Sequence, residues 1–199
     1  KILVVGASGL LAKPVVKYFD ENGFQIRLFS RSITNEMYPK EYEIIQGDVL
    51  NIIDLEKAIE GCDAVHITIA GADELTGVKN IVKIAKQKQV KLISYVSGAS
   101  VCKENTWFPM TNNKFQAEEA IRESEIPYVI FRPTWFMETF SLMVRNGKAS
   151  VIGKQPNPLS LIAANDFARM LANAYKNNEA HNKTFYIHGP EKYLLKDAL

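Results

Sequence analysis

Two segments of this chain hold residues whose types and spacing point directly to chemistry. In Val4-Val5-Gly6-Ala7-Ser8-Gly9-Leu10-Leu11-Ala12 an apolar run ends in a turn with glycines three apart and a small residue three further on. Gly6 permits a tight turn, and Gly9 has no side chain to keep a pyrophosphate away from the backbone. Ala12 is small enough for a following helix to pack closely on the strand. The N-terminus of that helix turns free N–H groups and the positive end of its dipole toward a phosphate. Gly6, Ser8, Gly9, Leu10 and Leu11 are therefore expected to contact a dinucleotide. About 20 residues on, an acid would accept hydrogen bonds from the ribose hydroxyl of NAD. Arg27-Leu28-Phe29-Ser30-Arg31-Ser32 carries none. Arg31, flanked by two hydroxyls, instead suits a 2′-phosphate through charge-assisted bonds. Arg31 and Ser32 thus favour NADP over NAD, with NAD left open.

Such a turn works only between a buried strand and a helix, and the rest of the chain supplies that setting. Short apolar runs at 2–5, 25–29, 43–46, 64–69, 91–96, 128–131 and 184–187 alternate with amphipathic stretches. That alternation marks a parallel sheet wrapped by helices. Leu11, Val15 and Phe19 share one helical face, as do Val78, Ile81, Val82 and Ala85. Pro14 suits the first turn of a helix, where a missing N–H costs little. Asn165-Asp166 reads as the start of a helix carrying Phe167, Met170 and Leu171. Asp48 suits either a cap for a helix starting near Ile52 or a ligand pocket.

With 199 residues, 47% hydrophobic and 23% charged, the chain is long enough for one domain with its own core. The net charge of +2 writes no strong pull toward nucleic acid or membrane into the composition. No 18-residue apolar stretch is present to span a bilayer. Cys62 and Cys102 have no metal-ligand spacing and read as two reduced thiols of a cytoplasmic protein; no metal is expected. The chain is expected to begin as a strand without a leader. The segment 194–199 reads as the first turns of a helix that continues beyond it. His66, inside a strand run, reads as a packed residue, and His188 stands as a candidate substrate contact. Lys83, Lys86, Lys88 and Lys91 read as a solvated face.

The spacing Gly6-x-x-Gly9-x-x-Ala12 resembles the turn of extended and atypical short-chain dehydrogenases/reductases. Further segments resemble the NmrA-like, NAD(P)H-binding atypical branch over essentially the whole chain. Gln46-Gly47-Asp48-Val49-Leu50 is similar to that branch's turn after the third strand, which implies Asp48 and Val49 near the adenine. Ala70-Gly71 stands where family members meet the ribose. Phe131-Arg132-Pro133-Thr134-Trp135-Phe136-Met137-Glu138 resembles the segment beside the nicotinamide, which implies contacts from Thr134 and Phe136. Asn165-Asp166-Phe167-Ala168 and Phe185-Tyr186-Ile187-His188-Gly189-Pro190 match later landmarks. The resemblance also implies a catalytic serine at Ser97 and a lysine at Lys114, which would bond the nicotinamide ribose.

One departure bears on mechanism. Family enzymes carry Tyr-x-x-x-Lys, the lysine lowering the tyrosine pKa for acid–base work. None of the eight tyrosines here has a lysine four residues later, and the position before Lys114 is Met110. A thioether has no proton to give.

The expected fold is α/β: a Rossmann-like doubly wound parallel sheet forming one domain over 1–199. Residues 147–199 contribute a small C-terminal substrate region, expected to continue past the last residue. The expected function is an NADPH-dependent reductase that passes hydride directly to a small quinone-like or carbonyl acceptor without the usual tyrosine. The alternative is a non-enzymatic NADP(H) sensor that reports redox state to a protein partner. A nucleotide-sugar epimerase or dehydratase is the weaker alternative, because it needs the missing tyrosine. The partner is thus a small-molecule substrate or a regulatory protein, and the oligomeric state is left open.

Overall fold

A computed structural model describes residues 1–149, 151 and 153–198. Ser150, Ile152 and Leu199, which belong to the expected C-terminal region, lie outside the described residues. The chain runs β1 (Ile2–Val5), α1 (Ala12–Glu21), β2 (Ile26–Ser30), β3 (Glu43–Gln46), α2 (Ile52–Ile59), β4 (Ala64–Ile67) and α3 (Glu74–Gln87). It continues through β5 (Leu92–Val96), α4 (Pro109–Glu123), β6 (Tyr128–Pro133), α5 (Phe140–Met143), β7 (Val144–Arg145), β8 (Lys148–Ala149) and β9 (Leu159–Ser160). It ends with α6 (Ala164–Lys176), β10 (Lys183–Ile187), β11 (Lys192–Tyr193) and α7 (Leu195–Ala198).

Seven of these strands form one parallel sheet in the order β10-β6-β5-β4-β1-β2-β3. The order reverses at β1, as in a doubly wound sheet whose ligand crevice opens beyond the strands' carboxyl ends. Alternate residues of β1 feed two cores. Ile2 and Val4 pack with α1 and α6 on one face, while Leu3 and Val5 pack with α2, α3 and α4 on the other. Both faces are therefore covered, which explains the unbroken apolar strands.

Several boundaries differ from expectation for physical reasons. β4 stops at Ile67 rather than at residue 69, because β1 turns away at Gly6 after the Thr68 amide bonds the Val5 carbonyl. β6 runs on to Pro133, because β10 pairs with it through Ile187. Asn51, not Asp48, caps α2 by accepting from the Ile53 amide. α6 begins at Ala164, and the Glu138 carboxylate accepts from the Ala164 amide at 2.9 Å. A distant acid thus serves the helix start that Asn165-Asp166 suggested locally.

The C-terminal segment folds over the crevice. β9 pairs antiparallel with β11, and Phe140, Leu161 and Leu195 form a small separate core. A Cβ on Gly189 would stand 1.8 Å from the Leu161 carbonyl oxygen, so the close approach of β10's end to this segment depends on the missing side chain. Among the described residues, no helix is long and apolar enough to cross a membrane.

His66 is fully buried in β4, with Nδ1 2.8 Å from Ser94 Oγ and Nε2 2.6 Å from Thr68 Oγ1. Ser94 Oγ lies 2.6 Å from the Tyr175 hydroxyl, which completes a buried polar chain across the sheet. Burial pushes the His66 pKa down from 6.5 to about 3, so the native state holds it neutral. The unfolded chain binds a proton there below 6.5. The stabilisation is present above pH 6.5 and is lost as pH falls toward 3, at about 1.4 kcal/mol per pH unit. Urea denaturation at pH 7, 6 and 5 should show this slope. A His66→Gln variant, less stable at pH 7, should lack that part of it; an unchanged slope would contradict the assignment.

Candidate functional site

The crevice starts at the glycine turn. Gly6 has φ of +84°, and a Cβ there would stand 2.0 Å from the Thr68 carbonyl oxygen. The Gly6 and Ala7 amides bond the Phe29 carbonyl, and the Gly9 amide bonds that of Gly6 at 2.9 Å. The turn is thereby pinned to β2 and β4. The amides of Ser8, Leu10 and Leu11 have no partner among the described residues. α1 starts without a side-chain cap and without an acid in its first turn. Pro14 stands in that turn, where its missing N–H leaves nothing unmade. An anionic pyrophosphate fits this arrangement of free amides and positive dipole.

A first cavity of about 280 Å³ follows, lined by the turn, Arg31, Ser32, Asp48, Val49, Ala70 and Asp73 among others. Ser30 and Ser32 both donate to Ser8 Oγ, at 2.9 and 3.0 Å, so three hydroxyls cluster at the end of β2. Arg31 is exposed and lies 3.3 Å from Asp73 and 3.9 Å from Asp48. Asp48 also accepts from the Leu50 amide. Val49 packs on Gly77 of α3, and its carbonyl accepts from Asn80. The expected residues are together here, but Arg31 is shared with two acids that its sequence neighbourhood does not reveal.

A second, larger cavity of about 790 Å³ shares Gly9, Thr68, Ile69 and Ala70 with the first. Leu10, Leu11, Met110, Pro133, Trp135, Phe136, Pro158 and Leu159 make its wall largely apolar. Ser97, Lys114, Thr134, Ser160 and Lys192 supply polar groups. Gly71, at φ +102°, is exposed and stands outside both linings. The Thr134 hydroxyl donates to the Ser160 carbonyl, and its amide bonds the Ile187 carbonyl. Phe136 is buried against Phe167, so it supports the wall from the core. His188 is exposed and lies outside this lining.

Two buried carboxylates govern the polar groups. Ser97, itself buried, donates to Glu118 at 2.5 Å. Arg132 grips the same carboxylate through Nε at 2.9 Å and Nη2 at 2.6 Å, and Arg122 adds a bond at 2.7 Å. Burial alone would raise the Glu118 pKa; the bonds from Arg132, Ser97 and Arg122 outweigh it and hold the pKa below the ordinary carboxylate value. The Ser97 hydroxyl is therefore engaged inward, and Arg132 acts as a strut of the wall. Lys114 donates to Glu74 at 2.5 Å and to the Val96 carbonyl at 3.3 Å. The Tyr95 hydroxyl donates to the same Glu74 oxygen at 2.7 Å. Burial, followed by the Glu74 charge, pushes the Tyr95 pKa far up, so this phenol keeps its proton. Met110 stands on the first turn of α4, half exposed, one helical turn before Lys114.

Sequence reasoning missed Glu74, Tyr95, Glu118 and Asp73. Glu74 and Glu118 lie in helical stretches that read as ordinary surface positions, and only burial distinguishes them. Among the described residues, no group of three His, Cys, Asp or Glu side chains stands together to hold a metal.

Comparison with known proteins places this geometry. The chain is similar to the photosystem II assembly factor Ycf39 of Trieres chinensis, at 22% identity over 213 residues, covering 100% of this chain and 66% of that protein. It therefore spans just under two thirds of that relative's length. Among solved structures, Citrobacter sp. triphenylmethane reductase complexed with NADP(H) superposes with a TM-score of 0.82 at 21% identity, covering 98% of this chain and 72% of that one. The NADPH-dependent quinone oxidoreductase QOR2 of Escherichia coli, complexed with NADPH, gives 0.80 at 19% identity, covering 98% and 71%. Those likenesses establish the fold. The profile described as NAD(P)H-binding matches residues 6–178, which takes in the glycine turn, strands β2 to β6 and most of the lining of both cavities. With most of its length inside that match, the chain belongs to the NAD(P)H-binding family that this profile describes.

Proposed function

We propose that the protein is an NADPH-dependent reductase that delivers hydride to a flat, apolar, quinone-like acceptor without a tyrosine acid. The observation that carries this reading is the wall of the larger cavity. A thioether, Met110, occupies the place of the acid beside Lys114, while Leu10, Trp135, Phe136 and Leu159 line a space of about 790 Å³. The dinucleotide, when bound, supplies the hydride. The chain's own task is to cradle the phosphates with the turn amides, hold the ribose near Lys114 and exclude water with the apolar wall. A reduced quinone bears a phenol-like oxygen with a pKa of about 10, so water can protonate it near neutral pH. A simple carbonyl would leave a far more basic alkoxide and would need the missing acid. This argument favours the quinone-like class over aldehydes and ketones. The solved relatives named for triphenylmethane reduction and quinone oxidoreduction support the reading by analogy of fold.

A second reading, a dinucleotide-dependent assembly or sensor protein, is supported by exposed aromatic surface. Trp107 is 79% exposed and Phe108 44%, their rings 5.9 Å apart just before α4. The Ycf39 relative is named as an assembly factor. Turnover of NADPH with a panel of quinones and aldehydes separates the two. Oxidation of NADPH by quinones supports the reductase; tight NADPH binding with no turnover on any acceptor supports the sensor.

Cofactor choice is tested at Arg31. Removing its guanidinium in Arg31→Ala should weaken NADPH by about tenfold, the lower end expected for a hydrogen bond to a charged group. The lower end applies because Asp48 and Asp73 already compete for this side chain. NADH should change by less than about twofold. Equal weakening of both cofactors in a fluorescence titration would refute the 2′-phosphate assignment.

The mechanism is tested by a pair of variants. Met110→Leu should leave kcat within about threefold, because volume and polarity hardly change. Lys114→Met should raise the KM for NADPH more than it lowers kcat, as for a group that binds the cofactor rather than transferring a proton. A thousandfold fall in kcat with NADPH affinity intact would instead place Lys114 in the chemical step.

A further inference from the structure

Glu74 is the most unusual group in the molecule for its position. Its side chain is completely shielded from solvent at the first turn of α3, in the partition between the two cavities. One oxygen, Oε1, takes both the Tyr95 hydroxyl at 2.7 Å and the Lys114 ammonium at 2.5 Å. The other, Oε2, is buried with no partner among the described residues. Burying a carboxylate and leaving half of it unbonded is costly. Such an arrangement persists where the group performs a task other than stabilising the fold.

The task is visible in what Glu74 does to Lys114. A free lysine loses considerable rotamer freedom when it is ordered at a ligand. Here the ammonium is held by the protein's own groups. It is clamped between Glu74 and the Val96 carbonyl, packed 5.4 Å over the Tyr95 ring, and 15% exposed toward the large cavity. An ammonium has three N–H donors. Two are used inward, which leaves one for the crevice. Tyr95 in turn stands in the fully buried strand β5, and its hydroxyl donates to Glu74 at 2.7 Å.

We propose that Glu74 is a positioning residue: it preorganises Lys114 as a single directed donor toward the ribose of a bound dinucleotide, and Tyr95 anchors Glu74 for that purpose. This inference rests on the reading of Lys114 as a cofactor-binding group. It goes beyond that reading by assigning roles to Glu74 and Tyr95, which act through Lys114. It also explains why the lysine tolerates methionine at position 110: its charge is answered by Glu74, and it is not set up to acidify a phenol.

The test is a double-mutant cycle read by NADPH fluorescence titration of the chain, with Glu74→Gln, Lys114→Met and the double variant. Glu74→Gln should weaken NADPH about tenfold in the parent background and less than about twofold when Lys114 is already methionine. Equal weakening in both backgrounds would mean that Glu74 acts on the fold or groove independently of Lys114, and would overturn the proposal. No weakening in the parent would overturn it as well. If Lys114→Met alone leaves NADPH affinity unchanged, the cofactor role of Lys114 falls and the proposal with it, an outcome distinguishable from failure at Glu74. Melting curves supply the second readout. Lys114→Met strands a buried carboxylate, so adding Glu74→Gln to it should raise the melting temperature rather than lower it. Should Glu74→Gln alone fail to fold, Glu74→Asp, which keeps the charge but retracts it by one methylene, takes its place in the NADPH titration cycle with the same expected pattern of affinities.

Discussion

The contact on which the rest of the molecule depends is the approach of the end of β1 to β4 at Gly6. Any Cβ there would lie 2.0 Å from the Thr68 carbonyl oxygen, and the local φ of +84° is one that side-chain-bearing residues rarely adopt. With hydrogen in that place, the chain leaves the sheet at once and bonds back to β2 through the Gly6 and Ala7 amides. It then enters α1 with three amides that have no partner among the described residues. The same contact ends β4, so Thr68, Ile69 and Ala70 become the floor shared by both cavities. The free amides of the turn and the geometry of the crevice are consequences of this one missing side chain.

Around that turn the molecule divides its polar energy between two buried acids. Glu118 is fully answered by two arginines and a serine hydroxyl. Its role is architectural: it ties α4 to β5 and β6 and holds the wall in register. Glu74 is answered incompletely, by one lysine and one phenol on a single oxygen. Removing one partner of a buried pair costs far more than the pair itself contributes, so each acid makes its cations hard to replace. Ser97 and Lys114, adjacent in the crevice, are governed by different acids for different ends.

The C-terminal segment completes the larger cavity at little structural expense. Trp135, Met137 and Ile162 exchange backbone bonds, Thr134 reaches the Ser160 carbonyl, and Gly189 lets β10 abut Leu161. These backbone contacts bring Pro158 and Leu159 over the apolar wall without a large core of their own. The crevice thus joins a turn pinned by backbone bonds to a lightly built apolar roof over its larger cavity.

Much of this architecture was legible in the residues themselves, because parallel strands buried on both faces must be apolar throughout and helices against them must be amphipathic. All seven strands of the main sheet and the glycine turn follow from such local patterns. So do the hydroxyls beside Arg31 and the absence of a tyrosine before Lys114, since residue type and short spacing suffice for them. What only the tertiary structure decided are the partners of charges far apart in sequence. Glu74 and Lys114 are separated by 40 residues, Asp73 and Arg31 by 42. In the sequence Glu74 is one more acid at a helix start and Glu118 one more glutamate on a polar stretch. Coulombic and hydrogen-bonding roles depend on burial and on which side chains meet across the sheet, and the period of a strand or helix carries no record of either.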